Sequence, residues 1–448
     1  MTASNPSLDA PLADVVGADL HVPLVDGTSV RYANLDWAAS APALTAVQDA
    51  VCAALPWYSS VHRGAGFPSR VTSEALAAAR GAVAAFVGAR DDDEVVLTRN
   101  ATDALNLLAF ALPAGTQVVT FASEHHANLL PWLRRDAVVL PVPASPADAI
   151  RDVEAALAGL PGDGRDALVA VTGASNVTGE IWPIAELAGI ARRAGARIAV
   201  DAAQLAPHRA IDLAATGIDF VAFSGHKLAA PFGAGAFVGR RDWLDRAQPY
   251  LDGGGAVDAV SLDRTTWKSG HDRHEAGTPN VVGAIALGVA CNTLASIGFA
   301  TIHAHEQALC TRLDEGLASV PGIEQYTMWE DADRIGVAVF NLADWDPALL
   351  AAVLSAEHGI GVRSGAFCAH PLVHRLVGGR PGGGRSGAVR ASVGIGSRSE
   401  DVDRLVDALR TVARTGARVD YGRCNGRYEP ADDPRRLPQL LGLAGVGA

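Results

Sequence analysis

Phe220-Val221-Ala222-Phe223-Ser224-Gly225-His226-Lys227 is an apolar run of strand type that ends on a lysine. A buried ammonium is costly unless chemistry uses it, and a desolvated lysine is a good amine nucleophile toward carbonyls. Upstream, Ala196-Arg197-Ile198-Ala199-Val200-Asp201-Ala202-Ala203-Gln204 reads as another apolar strand, ending on the carboxylate of Asp201. A third stretch, Glu94 to Leu108, reads as a strand, a polar turn and a helix whose Leu105, Leu108 and Leu112 share one side. Thr102, near the start of that helix, can offer a hydroxyl and a backbone N–H to a phosphate. Taken singly, Asn100 or Thr102 would be an ordinary helix cap.

Together the three elements match the needs of one cofactor. Pyridoxal phosphate requires a lysine for its aldehyde, a carboxylate to keep its pyridine nitrogen protonated, and donors at a helix N-terminus for its phosphate. Lys227, Asp201 and the Thr102 turn supply them in that order.

The chain resembles the class V aminotransferase family of fold-type I pyridoxal-phosphate enzymes, and within it the cysteine desulfurases and selenocysteine lyases most. The resemblance runs from about Tyr32 to about Leu409. Its motifs are Leu35-Asp36-Trp37-Ala38-Ala39-Ser40, Val61-His62-Arg63-Gly64, Glu124-His125-His126-Ala127-Asn128, Asp201-Ala202-Ala203-Gln204, Ser224-Gly225-His226-Lys227 and Glu275-Ala276-Gly277-Thr278-Pro279-Asn280. It implies that His125 stacks on the pyridine ring and helps move protons, and that Gln204 reaches the phenolic oxygen. Ser224 and His226 match phosphate ligands beside the lysine. Thr278 matches one donated by a neighbouring subunit, which implies a homodimer. Asn100-Ala101-Thr102 stands where many desulfurases have Gly-Thr-Thr, so Ala101 keeps only its backbone N–H for the phosphate.

A substrate amino acid brings a carboxylate, which guanidinium groups pair through two parallel hydrogen bonds. Arg390, flanked by apolar residues, matches the family's carboxylate-binding arginine, and Arg363 and Asn176 match further substrate positions. The reaction is carried by Val362-Arg363-Ser364-Gly365-Ala366-Phe367-Cys368-Ala369-His370-Pro371-Leu372. In the desulfurases this resembles, the cysteine of an Arg-Thr-Gly-His-His-Cys-Ala-x-Pro-Leu loop attacks the sulfur of substrate cysteine, leaving alanine and an enzyme persulfide. Cys368 occupies that place, and Arg363 and His370 are candidates to favour its thiolate. Ala366-Phe367 replaces the histidine pair. Lys227, Cys368 and His125 are thus the catalytic candidates of a cysteine desulfurase. The alternatives are another class V reaction on an amino acid (transamination, C–S or selenocysteine lysis, epimerisation) or a cofactor-binding protein without catalysis.

The composition fits such an enzyme. The 448 residues, 49% hydrophobic, are ample for two packed domains, and 37 basic against 49 acidic residues give a net charge of −12 without a basic run to track nucleic acid. Cys52, Cys291, Cys310, Cys368 and Cys424 lack CxxC spacing, so neither a disulfide framework nor a metal site is supported. The start lacks the regions of a secretory signal, and a cytoplasmic enzyme with a small-molecule substrate, and a sulfur-acceptor protein as further partner, is the simplest expectation. Pro279 to Ile302 carries no charge and is long enough to cross a bilayer, but Gly283, Gly288, Asn292, Thr293 and Ser296 interrupt it. A single buried helix capped by Asn280 is expected there, and no membrane span.

Along the chain, residues 1–30 read as an arm or small-domain segment broken by prolines. From 31 to 302, strands at Gln117–Phe121, Ala137–Val142, Ala167–Thr172, Arg197–Val200, Phe220–Phe223 and Ala236–Val238 alternate with alanine-rich helices. That pattern predicts an α/β large domain with a mostly parallel sheet, whose ligands collect at the strand carboxyl ends. Residues 303–415 read as a smaller α+β domain, with helices near Glu306–Leu317 and Asp346–His358 and strands near Gly336–Asn341 and Gly361–Arg363. Residues 416–448 form an extension, expected as a surface tail or a strap along a partner subunit. A glycine cluster runs from Gly378 to Gly384.

Overall fold

A computed structural model describes residues 8–61, 64–160, 167–378 and 387–438. His62 and Arg63 of the motif above, most of the glycine cluster and the last residues of the extension lie outside the described residues.

The larger sheet has seven strands, in the order Asp93–Thr98, Gly235–Arg240, Phe220–Ser224, Arg197–Asp201, Ala167–Thr172, Gln117–Phe121 and Val138–Leu140. The last five run parallel, whereas Gly235–Arg240 is antiparallel to both of its neighbours. Every residue of Ala167–Thr172 is buried, as expected of a strand covered on both faces. The strand order reverses between Gln117–Phe121 and Ala167–Thr172, and a doubly wound sheet binds ligands at the carboxyl side of such a reversal. Thr172 pairs with Asp201, and Asp201 with Ala222. Register therefore brings Thr172, Asp201 and Ser224 to one edge.

The apolar stretch from Pro279 is not one helix. Asn280 caps it as expected, accepting from the Gly283 N–H at 2.9 Å, but the helix Val281–Ile297 ends at Gly298, whose φ of 84° cannot continue it. A second helix, Phe299–Ala318, leaves at 81°. Among the described residues no single helix is long and apolar enough to cross a membrane. The first helix crosses the helix Phe67–Phe86 where Gly288 meets Ala79, and a Cβ on Gly288 would lie 2.8 Å from the Ala79 Cα.

The second sheet is antiparallel, in the order Ile323–Tyr326, Val337–Leu342, Ala388–Ser392 and Arg363–Gly365. Helices Phe299–Ala318, Pro347–His358 and Ser399–Thr415 share its apolar core. The strand expected at Gly361–Arg363 is two short ones. Ile360–Gly361 pairs in parallel with Ala33–Asn34, and Arg363–Gly365 pairs with Ala388–Ser392. The first pairing lays residues 33–36 along this sheet and sets Asp36 beside Ser392.

The N-terminal segment forms a small hairpin, His21–Pro23 with Ser29–Arg31. The C-terminal extension forms another, Tyr421–Cys424 with Arg427–Pro430. It fastens to its own chain: the Arg418 N–H and the Tyr421 hydroxyl both donate to the buried carboxylate of Glu357 in the helix Pro347–His358.

Gly235 is where the sheet touches the start of the helix Ala101–Ala111. A Cβ there would lie 2.6 Å from the Phe223 carbonyl oxygen and 2.7 Å from the Asn100 Cα. Both neighbours are backbone, so Gly235→Ala should cost about 1–3 kcal/mol of stability. Denaturant unfolding of the purified variant measures it, and a change within about 0.5 kcal/mol, the range of an ordinary surface substitution, would show that the two elements have room to part.

Candidate active site

Every expected site residue except Thr278 lines one cavity of ≈ 200 Å³ between the carboxyl edge of the large sheet and the small sheet. Lys227 enters on the turn Gly225–Lys227, directly after its strand. Protein surrounds it except on its cavity side, and this enclosure lowers its pKa to about 8, against the pull of Asp201 toward the charged form. Asp201 is 4% exposed. Burial raises its pKa, opposed by the Ala203 N–H at 3.0 Å and by the charge of Lys227.

Two imidazoles stand beside this pair. His125 Nδ1 accepts from the Ala127 N–H at 3.0 Å, so its ring proton sits on Nε2. Burial, and then the charge of Lys227, lower its pKa to about 3; the same two causes lower His226 to about 4. Both rings are neutral at pH 7. The Gln204 side-chain amide donates to the Ala38 carbonyl at 2.7 Å, which leaves its second N–H for a ligand.

At the start of the helix Ala101–Ala111, Asn100 Oδ1 accepts from the Asp103 N–H at 3.0 Å, so Asn100 is the cap and Thr102 is exposed toward the cavity. The Ala101 N–H, expected to be open to a phosphate, instead donates to Ser224 Oγ at 2.8 Å. That bond ties the helix start to the lysine-bearing strand and leaves the Ser224 hydroxyl hydrogen free to donate.

The opposite wall is cationic. Arg363 and Arg390 are direct cross-strand partners, so both side chains leave the same face of the small sheet. Arg390 is 2% exposed. Its Nη1 donates to the Asn176 carbonyl at 2.6 Å and its Nη2 to Asp36 Oδ1 at 3.3 Å, while its buried Nε has no acceptor among the described residues. Burial lowers its pKa to about 10, against the stabilising charge of Asp36. Arg363 is half exposed, 3.9 Å from Asp36 Oδ2. Asn176, expected to bind substrate, lines the cavity; one of its side-chain N–H groups donates to the Phe367 carbonyl at 2.7 Å, which leaves the second N–H and the amide oxygen.

Cys368 is exposed in a tight turn. Phe367 (φ 51°) and Cys368 (φ 55°) are consecutive left-handed residues, a conformation that costs about 1–2 kcal/mol for each side chain. Their carbonyls are pinned, Phe367 by Asn176 and Cys368 by the His126 N–H at 2.8 Å. His370 packs against His126, ring centroids 4.7 Å apart and nearly perpendicular.

Sequence reading left three contributors without a role. Asp36 spans the two arginines. Glu124, fully buried, accepts from the Thr172 N–H at 2.9 Å and from the Asn128 amide at 2.7 Å, and Asn128 accepts in turn from the Trp132 indole at 3.0 Å. Burial raises Glu124 to about 8. Indole is a donor only, so the polarity of the chain Trp132, Asn128, Glu124 is fixed, and it locks the loop carrying His125 to the strand beside Asp201. Asp36, Glu124 and Asn128 all stand in the quoted motifs, which was the available signal. Thr278 is exposed and outside the cavity.

Comparisons with known proteins bear on the family and the fold. A family model described as Aminotransferase class-V matches residues 33–405. A probable cysteine desulfurase of Halalkalibacterium halodurans is 35% identical over 86% of this chain and 93% of its own length. A cysteine desulfurase of Salmonella agona is 36% identical, covering 87% and 95%. Among solved structures, the apo cysteine desulfurase of Thermococcus onnurineus NA1 superposes with a TM-score of 0.77 at 32% identity, covering 86% of this chain and 95% of that one. With the matched model spanning most of its length, the chain belongs to the aminotransferase class-V family.

Proposed function

We propose that this chain is a pyridoxal-phosphate-dependent cysteine desulfurase, taking sulfur from L-cysteine onto Cys368 and leaving alanine. The observation that carries the reading is the thiol of Cys368 in one cavity with Lys227, Asp201 and Arg390. The donor set fits the cofactor: an amine held near pKa 8, a buried carboxylate at a neighbouring strand end, and a helix start with Thr102 and the Ser224 hydroxyl for a phosphate. When bound, pyridoxal phosphate supplies an electron sink for bonds at the amino acid's α-carbon.

The chain's own residues do the rest. Asp201 keeps a proton on the pyridine nitrogen. His125 would lie against the ring, and Gln204 would offer its second N–H to the phenolic oxygen. Arg390, backed by Arg363, takes the substrate carboxylate. Lys227, the amine in the cavity, would hold the cofactor's aldehyde and would serve as the base for the α-proton. The Cys368 thiolate then takes the γ-sulfur: an S–S bond forms, the Cβ–S bond breaks, and Cβ gains a proton to become the methyl of alanine. Exposure of Cys368 lets a sulfur-acceptor protein reach the persulfide.

The working unit is a homodimer in which Thr278 serves the partner's phosphate site, a reading supported by its exposure outside its own cavity. Residues 31–302 form the large domain and 303–415 the small one, flanked by the arm (1–30) and the extension (416–448); the two separate sheets support this division. Five free cysteines suit a reducing compartment, the cytoplasm.

Three measurements test the reading. Cys368→Ala should abolish sulfide and alanine release from L-cysteine, by at least about a hundredfold given what an activated nucleophile contributes, while cofactor absorbance stays; unchanged turnover would remove Cys368 from the reaction. Capture of added cofactor by apo-protein requires the free amine of Lys227. With a pKa lowered to about 8, the reactive fraction rises as pH climbs toward 8 and levels above it, whereas an ordinary lysine would still be gaining near pH 10; a capture rate still climbing at pH 10 would show Lys227 to be unperturbed. Sedimentation at micromolar concentration should give a dimer, and an active monomer would exclude Thr278 from the phosphate site.

A further inference from the structure

Three contacts close a ring around the carboxylate-binding arginine. Arg390 Nη1 donates to the Asn176 carbonyl oxygen at 2.6 Å, the Asn176 amide donates to the Phe367 carbonyl oxygen at 2.7 Å, and the Arg390 guanidinium lies 5.2 Å from the centre of the Phe367 ring. Phe367 is 6% exposed, and the next residue is Cys368. We propose that Phe367 is a positioning residue that couples occupancy of Arg390 by the substrate carboxylate to the placement of the Cys368 thiol. The proposal rests on the desulfurase reading and names a device within that site.

The guanidinium faces three partners: the Asn176 carbonyl, the Phe367 ring and Asp36. Its contact with Asp36 is the longest of its hydrogen bonds, at 3.3 Å, and Asp36 also lies 3.9 Å from Arg363. A carboxylate arriving in the cavity competes first with Asp36, because that bond is the weakest and points toward the second arginine. As the fork turns to the new anion, the two remaining partners must follow it or lose their contact. Both belong to one unit, since the Asn176 amide holds the Phe367 peptide. A packed ring has little free rotation, so a shift of the guanidinium is handed to the Phe367 backbone and from there to Cys368.

The far end of the turn is fixed, with the Cys368 carbonyl held by the His126 N–H at 2.8 Å. The turn therefore has one anchor that stays and one that answers to Arg390. Left-handed backbone at both residues leaves it close to the limit of allowed geometry, and small movements of its held end redirect the thiol. A phenyl ring suits this duty. Its face attracts a guanidinium at every pH, whereas the histidine found here in the desulfurase loop would repel it when protonated.

The test uses cofactor-loaded protein. The rate of Cys368 alkylation by iodoacetamide is followed by mass spectrometry of its peptide, without L-alanine and with enough to saturate the change in cofactor absorbance for each variant. Steady-state kcat and KM for L-cysteine are measured alongside. In the native protein L-alanine should alter the alkylation rate several-fold. Phe367→Leu should lose that response although it still binds L-alanine, with KM raised about tenfold, and Phe367→Tyr, which keeps the aromatic face, should restore both. If Phe367→Leu fails to fold, as judged by circular dichroism, Phe367→Met replaces it. A response in the leucine variant equal to the native one, or no response in the native protein, overturns the proposal. Absence of alanine production from L-cysteine with the native response intact would overturn the reaction and support the coupling.

Discussion

A cation and an anion enclosed at neighbouring strand ends set the terms for everything around them. Lys227 is pushed toward the free amine and Asp201 toward the neutral acid, in each case by loss of water, and each partly restores the charge of the other. Such a pair is not a stabilising ornament, because desolvation can exceed the attraction. It persists because the sheet positions it. The register Asp201↔Ala222 puts the carboxylate level with the lysine-bearing strand, and close approaches at Gly225 and Gly235 keep side chains from wedging the strand ends apart. The neutrality of His125 and His226 follows from the same cause, since a further positive charge beside Lys227 would be resisted by burial and by repulsion alike.

The second wall is a matter of pairing rather than burial alone. Antiparallel register makes Arg363 and Arg390 direct partners, and the parallel bridge from Ala33–Asn34 carries Asp36 to them. Two cations meet one anion, so the wall keeps an excess of positive charge. Asp36 holds Arg390 by its longest hydrogen bond, at 3.3 Å, until another anion competes for the guanidinium.

Much of this was legible in the residues, and the exceptions have physical reasons. Strands such as Ala167–Thr172 read directly because burial on both faces makes them uninterrupted apolar runs. Lys227, Asp201 and Arg390 stood out because charges at the ends or in the middle of such runs need a purpose. The break at Gly298 was hidden because apolar composition continues across it into Phe299, and only the backbone φ reveals the turn. The partner of Asn176 was illegible for a different reason: the Phe367 carbonyl it serves is 191 positions away. Glu124 stood within a quoted motif with Asn128 four residues on, but its use also depends on the Thr172 N–H arriving from 48 positions away, which no local pattern encodes.

The hairpin Tyr421–Pro430 limits where this chain can be shortened. The matched family region stops at residue 405, inside the helix Ser399–Thr415, and a designer trimming to the family boundary would treat the residues beyond it as dispensable. Glu357 says otherwise. Its carboxylate is 2% exposed and accepts from the Arg418 N–H and the Tyr421 hydroxyl. Trimming there would take away both donors together with the Arg418 guanidinium 3.9 Å from the same carboxylate. The extension is thus a clasp on the helix Pro347–His358, and a chain cut at the family boundary would lose the bonds that fasten it there.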